Sequence, residues 1–517
     1  MIKSKLILFT LQIMDGERNM EFEAHGTPIQ NFYTGQSIFI TGGTGFLGKI
    51  LIEKLLRTCP NISMIYLLIR SKKEKSPECR LDEIFEKPLF DRIKREVPNF
   101  HKKITPIVGD LDARDFGLSE NDKNILITQT SIIFHVAANV RFFEHINIAI
   151  TENVTATHTI LKLAKRMPNL KSFIHVSTAF ANCHVKHIEE RFYSYPIKHK
   201  DLMTLIRNLP ENQVEKKIST ITSQWANTYT FTKAIAEGLL RDESGDLPIA
   251  IFRPSIVLST ANEPVAGWID NVYGPIGITV AGVLGIARFH HCNGNVKANI
   301  VPVDLTVNAL IVSAWDTFNQ NRKGKHMLIY NYVSPVDGPT WNEYAQAILD
   351  INKIYPVHKA IYLPLNISFK SKALYTICFW LGCFIPALFI DVATMCMNHT
   401  PRLWKMCIKI NKFSQILEPF SNNEWTFSTD NVCAMWERIT KEDQQLFNFD
   451  MNGFDWTKYF INLYQGIRLY VLDENDSTLE ISRKKYKRFY CLHQMIKAIF
   501  LFVGVWVVWI IFQKMFV

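Results

Sequence analysis

A tyrosine and a lysine in the segment YTFTK, together with two earlier hydroxyl residues, could protonate a reacting oxygen. Tyr229 and Lys233 are four residues apart, which places them on one face of a helix, where the ammonium would lower the pKa of the phenol. Ser177 and Thr178 follow an apolar run and add two hydroxyls. Hydride transfer to a carbonyl leaves charge on oxygen, which an acid and hydrogen-bond donors must stabilise. We predict a catalytic group of Thr178, Tyr229 and Lys233, with Ser177 as the alternative to Thr178.

Other residues that could do chemistry are expected to be structural. The chain has a second Tyr-x-x-x-Lys pair, Tyr355 and Lys359, but the proline directly after Tyr355 disfavours a regular helical turn. Cys183 could act as a covalent nucleophile, although the sequence shows no partner base for it. His135 and His175 lie within apolar runs, so we expect buried histidines with satisfied hydrogen bonds.

Four glycines in ITGGTGFLGKI (40–50) indicate a phosphate-binding turn. Gly42, Gly45 and Gly48 lie between an apolar run and a helical pattern. Glycines at such positions permit a tight turn and let the backbone approach a pyrophosphate at the helix N-terminus. The alternative is a strand-to-helix turn whose glycines serve close packing alone. The strand before the turn and the helix after it favour a dinucleotide site.

The residue at the end of the second apolar run distinguishes the two nicotinamide cofactors. An NAD-binding site would carry an acidic residue there for the ribose 2′-hydroxyl. This chain has Arg70, followed by Lys72 and Lys73, and a guanidinium pairs well with a phosphate. We therefore predict NADPH, and we expect further cofactor contacts at later strand ends, from Asp110 and Ala137 among others.

A parallel sheet must position these groups. Short apolar runs alternate with helical patterns between residues 37 and 338, which is the order of a Rossmann-type, doubly wound α/β fold. The predicted strands are SIFI (37–40), MIYLLI (64–69), ITPIV (104–108), SIIFHVA (131–137), SFIHVS (172–177) and IAIF (249–252). Longer helical patterns after residue 340 predict a mainly helical C-terminal domain. The predicted parts are a disordered N-terminal extension (1–35), a cofactor domain (36–340), a helical domain (341–480) and a transmembrane anchor (495–513).

The C-terminal run AIFLFVGVWVVWIIF (498–512) has no charge and predicts a transmembrane helix. Five basic residues precede it between 483 and 488 and one lysine follows it, which places the catalytic domain in the cytosol. The endoplasmic reticulum is favoured over the peroxisome, because the last residues form no peroxisomal signal. A buried C-terminal helix is the alternative.

A second apolar run, residues 373–390, could also enter a membrane. It contains Pro386, which would break a spanning helix. We therefore expect this run to rest on a membrane instead of crossing it.

The amino-acid composition limits the kinds of binding partner that we expect. The chain has 517 residues, a hydrophobic share of 48% and a formal charge of +10, part of which lies in the basic segment before the anchor. It shows no basic stripe with interleaved aromatics, so we expect no nucleic-acid partner. The ten cysteines form no CxxC pair, so we expect neither a metal site nor disulfides, as in a reducing cytosol. The sequence leaves the oligomeric state open.

The motifs of the chain resemble those of an extended short-chain dehydrogenase, and more narrowly those of the alcohol-forming fatty acyl-CoA reductase family. In the first domain the resemblance rests on TGGTGFLGK, YLLIR, HVAANVRF, HVSTAFAN, YTFTKAIAE, FRPSIV and VPVD. In the second domain it rests on IPALFID, WTFSTDN and FDWTKYFINLYQGIRLYVL. It covers nearly everything from residue 32 to residue 512.

The resemblance implies a four-electron reduction at a membrane. A long-chain acyl-CoA and two NADPH would give a primary alcohol, free CoA and two NADP+, by way of a thiohemiacetal and an aldehyde. It places the catalytic group on Thr178, Tyr229 and Lys233. With the contacts inferred above, the predicted cofactor-binding residues are Gly42, Thr44, Gly45, Phe46, Leu47, Gly48, Arg70, Asp110, Leu111, Ala137, Ala138, Tyr229, Lys233, Pro254 and Ser255.

Two alternative functions compete with this one. A membrane-anchored hydroxysteroid or sterol dehydrogenase would share the first domain, but the motifs between residues 385 and 472 argue against it. A catalytically silent, NADPH-binding lipid carrier would not need the complete catalytic group. An insertion at 186–222 is longer than a minimal dehydrogenase requires, so we expect it either to cover the acyl chain or CoA or to be a surface elaboration.

Overall fold

The computed structural model describes residues 26–71, 75–142, 144–321 and 327–516. Most of the predicted N-terminal extension lies outside these residues, as do Lys72 and Lys73. Part of that extension forms helix α1 (Pro28–Tyr33), which packs into the core of the first domain. Tyr33 is buried there, and its hydroxyl donates to the carbonyl of Ile311 at 2.7 Å. Residues 28–33 are therefore a structural part of the cofactor domain.

Seven parallel strands form the central sheet. They are β1 (Ser37–Thr41), β2 (Met64–Ile69), β3 (Ile104–Val108), β4 (Ile132–His135), β5 (Ser172–Val176), β6 (Ile249–Pro254) and β7 (Leu328–Tyr332). Their order across the sheet is β7-β6-β5-β4-β1-β2-β3, which is a doubly wound arrangement with a crossover on each side of β1. The predicted fold class and all six predicted strands are confirmed. β7 is an addition that the sequence did not suggest.

Helices cover both faces of the sheet. Successive strand residues point to opposite faces, and the strand residues are apolar on both, so each face must be buried. The helices of this domain are α1, α2 (Phe46–Thr58), α3 (Pro77–Phe85), α4 (Asp91–Glu96), α5 (Glu120–Gln129), α6 (Ile146–Ile150), α7 (Ala156–Ala164), α8 (His199–Asn208), α9 (Glu211–Ile221), α10 (Thr228–Glu243), α11 (Pro275–Val283) and α12 (Val303–Asn321). Ile38 and Ile40 of β1 pack in one core with α2 and α12. Phe39 packs in the other core with α7 and α10.

The rest of the chain is mainly helical, as predicted. Its helices are α13 (Trp341–Ile354), α14 (Lys372–Phe379), α15 (Ile385–Cys396), α16 (Leu403–Asn422), α17 (Asp430–Arg438), α18 (Lys441–Leu446), α19 (Trp456–Gly466) and α20 (Leu479–Phe516). Three short parallel pairs tie segments together: Ile256–Leu258 with Ile300–Pro302, Phe289–His291 with Ile367–Phe369, and His187–Ile188 with Thr426–Phe427. Tyr355 follows the end of α13 with φ −121° and ψ 63°, so the second Tyr-x-x-x-Lys pair does not lie on a helix.

The helical part packs directly on the sheet domain. A Cβ at Gly466 would lie 1.7 Å from the carbonyl oxygen of Gly267, so α19 can approach only because this position has no side chain. Nearby, the hydroxyl of Tyr459 donates to the carbonyl of Ser259 at 3.1 Å. This close contact fixes where the helical part stands relative to the sheet.

The insertion at 186–222 folds into α8 and α9. These helices bury Leu202, Val214 and Ile218 in the core that also contains α7 and α10. The insertion therefore extends the core on one face of the sheet.

Within the described part of the chain, two segments are long and apolar enough to cross a membrane: residues 372–396 and residues 476–515. The first corrects a sequence prediction, because Pro386 does not break it. A π-helical turn (Trp380–Phe384) joins α14 to α15 just before the proline. The carbonyl of Gly382, which Pro386 cannot satisfy, accepts a hydrogen bond from Arg288 instead. The side chain of Arg288 thus satisfies the carbonyl that Pro386 leaves without a backbone donor.

Candidate active site

The glycine turn between β1 and α2 is built by very close backbone contacts. A Cβ at Gly42, whose φ is +78°, would lie 2.6 Å from the backbone nitrogen of Ala137. A Cβ at Gly48 would lie 2.2 Å from the carbonyl oxygen of Gly42. Gly45 caps α2, so the free N–H groups of the first helical turn lie beside the turn. This arrangement fits the pyrophosphate of a dinucleotide.

A cavity of about 1230 Å³ begins at this turn and reaches the helical domain. Every predicted site residue lines it except Asp110. Ligand pockets are typically about 300–1,000 Å³, so this cavity has room for a dinucleotide and part of a second molecule. In the described ranges of the chain, no three His, Cys, Asp or Glu side chains are grouped so that they could hold a metal ion.

Helix α10 positions Tyr229 and Lys233. Asn227 caps the helix, and its side-chain oxygen accepts from the N–H of Thr230 at 2.9 Å. Tyr229 therefore lies in the first turn, where the helix dipole favours negative charge. Lys233 lies one turn further on, is buried, and donates to the carbonyl of Val176 at 2.6 Å. This hydrogen bond joins α10 to the end of β5.

The pKa values of this pair differ from the expectation. Burial raises the pKa of the Tyr229 phenol. Burial also lowers the pKa of Lys233 to about 7, against the opposing effect of the Glu237 carboxylate. The expected lowering of the Tyr229 pKa by Lys233 is therefore wrong for this structure, because desolvation dominates here. Tyr229 keeps its proton at neutral pH, which is the state that a proton donor needs.

The two hydroxyls after β5 have different partners. Ser177 donates to a carboxylate oxygen of Glu237 at 2.6 Å, so its hydroxyl proton is not available to a ligand. The Thr178 oxygen accepts from the N–H of Phe180 at 3.3 Å and lines the cavity. The hydroxyl proton of Thr178 is thus the better placed of the two to bond a ligand.

A buried ion pair lies behind the catalytic group, and the sequence alone did not single it out. Glu237 accepts from Arg253 at 2.9 Å and 2.6 Å, and both side chains are fully buried. Arg253 also donates to the carbonyls of Glu189 and Arg191, each at 3.1 Å. A signal was present: Tyr229, Lys233 and Glu237 recur every four residues and therefore share one face of the helix.

Arg70 lies at the end of β2, as predicted, but it is not free. Its Nη2 atom is 2.8 Å from Asp110, 3.2 Å from Asp112 and 3.3 Å from Glu152. Arg70 and Glu152 line the cavity, whereas the Asp110 carboxylate points to Arg70 instead of forming part of the lining. A 2′-phosphate would have to compete with these carboxylates for the guanidinium.

Two histidines and a cysteine were expected to be structural. His135 bonds the hydroxyls of Thr41 at 2.7 Å and Thr157 at 3.1 Å, and burial lowers its pKa to about 3. The expectation of satisfied bonds is wrong for His175, because neither ring nitrogen has a partner among the residues that the structure describes. Burial raises the pKa of Cys183, which is not among the lining residues. These properties argue against a cysteine nucleophile.

The helical domain supplies an apolar wall that the sequence did not assign to the site. Phe413, Leu417 and Phe420 of α16 line the cavity. The Phe420 ring lies 5.8 Å from that of Phe142 and 5.0 Å from that of Phe180, both from the first domain. The cavity is therefore apolar on the side that these rings form. None of its described lining residues comes from the insertion at 186–222, so that segment does not cover it.

The sheet order, the glycine turn and the Tyr-Lys pair on α10, the helix that leads into β6, define an NAD(P)-binding oxidoreductase of the short-chain dehydrogenase type. Two family profiles described as "Male sterility protein" match the chain, an NAD-binding profile over residues 40–310 and a second profile over residues 383–474. Fatty acyl-CoA reductase wat of Drosophila melanogaster is 39% identical over 505 residues, or 96% of this chain and 97% of the relative. Fatty acyl-CoA reductase 2 of Homo sapiens is 36% identical over 92% of each chain. The chain belongs to the fatty acyl-CoA reductase family, which confirms the resemblance.

Solved structures support the fold. The reductase domain of a nonribosomal peptide synthetase from Mycobacterium tuberculosis matches with a TM-score of 0.56 at 19% identity, over 86% of this chain and 93% of that domain. The terminal R domain of the myxalamid PKS-NRPS pathway matches with a TM-score of 0.54 at 18% identity, over 86% and 92%. Both comparisons concern the fold alone.

The buried ion pair generates a stability prediction. Glu237→Gln leaves the Arg253 guanidinium buried without a counter-charge and should lower the free energy of unfolding by about 3–5 kcal/mol. Glu480→Gln is the matched control, because Glu480 pairs with Lys484 on the exposed surface and should change stability by less than about 1 kcal/mol. Thermal unfolding of the detergent-solubilised protein compares the two. Equal midpoints would contradict this interpretation of the ion pair.

Proposed function

We propose that this protein reduces long-chain fatty acyl-CoA to primary fatty alcohol with two molecules of NADPH. The observation that carries the proposal is the continuity of one cavity from the glycine turn, past Tyr229 and Thr178, to the apolar wall of α16. A thioester carbonyl beside Tyr229 would place its acyl chain against that wall. The family assignment disfavours the hydroxysteroid dehydrogenase, and the presence of Thr178, Tyr229 and Lys233 together disfavours the silent carrier.

The residues have distinct proposed roles. NADPH held at the glycine turn would supply a hydride to the thioester carbon, and a second NADPH that replaces the NADP+ would supply one to the aldehyde carbon. Tyr229 donates its proton to the oxygen that gains charge, and Thr178 donates a hydrogen bond to the same oxygen. Lys233 holds a positive charge near that oxygen and fixes α10 to the end of β5. As the thiohemiacetal collapses, the aldehyde C=O bond forms while the C–S bond breaks, and the hydroxyl proton passes to the departing sulfur, so that CoA leaves as the thiol.

The proposed cofactor contacts follow the edge of the sheet. Gly42, Gly45 and Gly48 would cradle the pyrophosphate. Beyond the turn, Ala137 and Ser255 line the passage to Tyr229. The remaining proposed contacts are Thr44, Phe46, Leu47, Arg70, Leu111, Ala138 and Pro254, all of which line the cavity, and Asp110, which would act through Arg70.

The preference for NADPH rests on Arg70. The guanidinium can exchange its carboxylate partners for a 2′-phosphate, which carries more charge and offers bidentate geometry. No acidic residue occupies position 70 to receive a ribose 2′-hydroxyl.

Arg70→Glu tests the cofactor preference. Four neighbouring carboxylates would repel a 2′-phosphate, so the ratio of kcat/KM for NADPH to that for NADH should fall about tenfold or more. Arg95→Glu, at an exposed position outside the cavity lining, should leave the ratio unchanged. An equal loss of kcat/KM with NADPH and NADH in Arg70→Glu would contradict the proposal that Arg70 selects NADPH.

The pH dependence of the reaction rate should follow the protonation state of Lys233. Its pKa is lowered to about 7, so the ammonium is present below this pH and is lost as the pH rises. We expect kcat/KM for NADPH, which reflects the free enzyme, to decline with a midpoint near 7. A rate that stays constant up to pH 9 would show that the charge of Lys233 is not needed.

We propose that α20 anchors the protein in a membrane, with the catalytic part in the cytosol. We favour the membrane of the endoplasmic reticulum over that of the peroxisome. Residues 498–512 are apolar, and those with described side chains are largely exposed. The basic residues at 483–488 precede them on the side of the folded domains.

Product analysis tests the proposed activity. Membranes that contain the protein are incubated with NADPH and acyl-CoAs of several lengths, and the lipid products are identified by mass. Tyr229→Phe should abolish alcohol formation, whereas Tyr355→Phe, the tyrosine of the second Tyr-x-x-x-Lys pair, should retain it. Failure of the parent protein to form alcohol or aldehyde while it binds NADPH would reject the proposal.

A further inference from the structure

The helix formed by α14, the π-helical turn and α15 exposes an unusually apolar surface. One stripe of this helix packs inward, with Tyr375, Phe379 and Phe384 buried against α16. Around the rest of the helix, Leu381 is 61% exposed and Phe389 is 70% exposed. The other large apolar side chains exposed on it are Leu374, Ile377, Trp380, Ile385, Leu388, Ile390, Val392 and Met395. A contiguous apolar surface of this kind marks a contact with another apolar phase.

This apolar surface is joined to the start of the membrane anchor. The Arg288 guanidinium donates to the carbonyl of Gly382 in the exposed helix and lies 4.9 Å from the centre of the Tyr362 ring. The hydroxyl of Tyr362 is 3.1 Å from Nδ1 of His493, which lies in α20 just before its uncharged run. The exposed helix and the emerging anchor are therefore at the same end of the molecule.

The neighbouring helix prevents residues 372–396 from crossing a bilayer. Asp391 of α15 accepts from three backbone N–H groups at the start of α16, those of residues 402–404, at 2.8–3.0 Å. α16 therefore runs beside α15, and it carries exposed Lys405, Lys409 and Lys412 along its length. A lysine at the bilayer centre costs about 2.5–3.5 kcal/mol on insertion scales, so three of them disfavour a crossing strongly.

We propose that residues 372–396 form a second, monotopic membrane contact that lies in the headgroup region of the bilayer that α20 enters. The exposed apolar side chains enter the upper acyl region, and the neighbouring lysines meet anionic headgroups. This is the arrangement of an interfacial amphipathic helix with basic flanks. The partner is a lipid surface, and the contact holds the catalytic part at a fixed height above it.

The proposed contact places the membrane close to the cavity. α16 packs against the membrane-facing helix on one side, and its Phe413 and Leu417 line the cavity on another. One helix therefore separates the bilayer from the apolar end of the cavity. That this shortens the path of an acyl chain from the membrane rests on the proposed function, whereas the membrane contact itself does not.

Lipid photolabelling of the full-length protein tests the contact. The protein is reconstituted in vesicles of phosphatidylcholine and phosphatidylserine that contain a phospholipid with a photoreactive group in its acyl chain. After irradiation, the labelled residues are mapped by mass spectrometry. We expect adducts on the exposed face of residues 372–396, in addition to those on residues 498–512.

Two results would overturn the proposal. Adducts confined to residues 498–512 would show that the exposed helix does not touch lipid. Adducts that extend along α16 at Lys405 and Lys412 would show a crossing hairpin instead of an interfacial helix. Because neither readout uses acyl-CoA, failure of the reductase activity and failure of the membrane contact are distinguishable.

A matched pair of variants completes the test. Leu388→Asp combined with Phe389→Asp should lower the adduct yield within residues 372–396 about tenfold and leave the yield at 498–512 unchanged. Val336→Asp is the control, because Val336 is also an exposed apolar side chain but is remote in sequence from both helices, and it should change neither yield. Both proteins must bind NADPH as the parent does. An unchanged yield in the double variant would overturn the proposal.

Discussion

The geometry of the site depends on the carboxylate of Glu237. It binds the Ser177 hydroxyl at the end of β5 and the Arg253 guanidinium on β6, and it belongs to the helix that carries Tyr229 and Lys233. Two charges that are fully removed from water persist only when their hydrogen-bonding groups are satisfied. The pair therefore allows little freedom in how α10 lies against the two strands. This network therefore positions the helix and the strand end that carry Tyr229 and Thr178.

The shape of the cavity depends on how the helical domain packs against the sheet domain. A dinucleotide site at the edge of a sheet is open to water, and an acyl chain needs an apolar enclosure. The helical domain provides it through Phe420 and its neighbours on α16, which close over Phe142 and Phe180. The approach of α19 at Gly466 holds the two parts together at this distance. In the proposed function, hydride transfer and acyl binding would thus take place at one interface between the domains.

The sequence predicted what local patterns determine. Six strands were recognisable as apolar runs, and the glycine turn and the Tyr-Lys pair have fixed spacings. β7 was not recognisable, because its fourth residue, Asn331, is polar. The partners of this side chain are distant in sequence: it donates to the carbonyls of Ile188 and Ser428 and accepts from Arg253. Pro386 misled the prediction for a similar reason. Its tolerance depends on Arg288, almost a hundred residues away.

In the candidate site, too, the sequence predicted features set by local patterns and missed those set by distant residues. The positions of the lining residues followed from strand ends, but the charge environment did not. Three features depend on tertiary neighbours: the pairing of Arg70 with three carboxylates, the burial that raises the pKa of Tyr229, and the lack of a hydrogen-bond partner for the His175 ring nitrogens among the described residues. The wall formed by α16 was missed because an apolar helical face is equally typical of a core.

The most direct test of the account is the ratio of NADPH oxidised to CoA thiol released during turnover of a long-chain acyl-CoA. If one cavity with one proton donor performs both reductions, the ratio should be two and the alcohol should equal the CoA in amount. A ratio of one, with aldehyde as the product, would contradict the central claim, because the site would then complete only the first reduction.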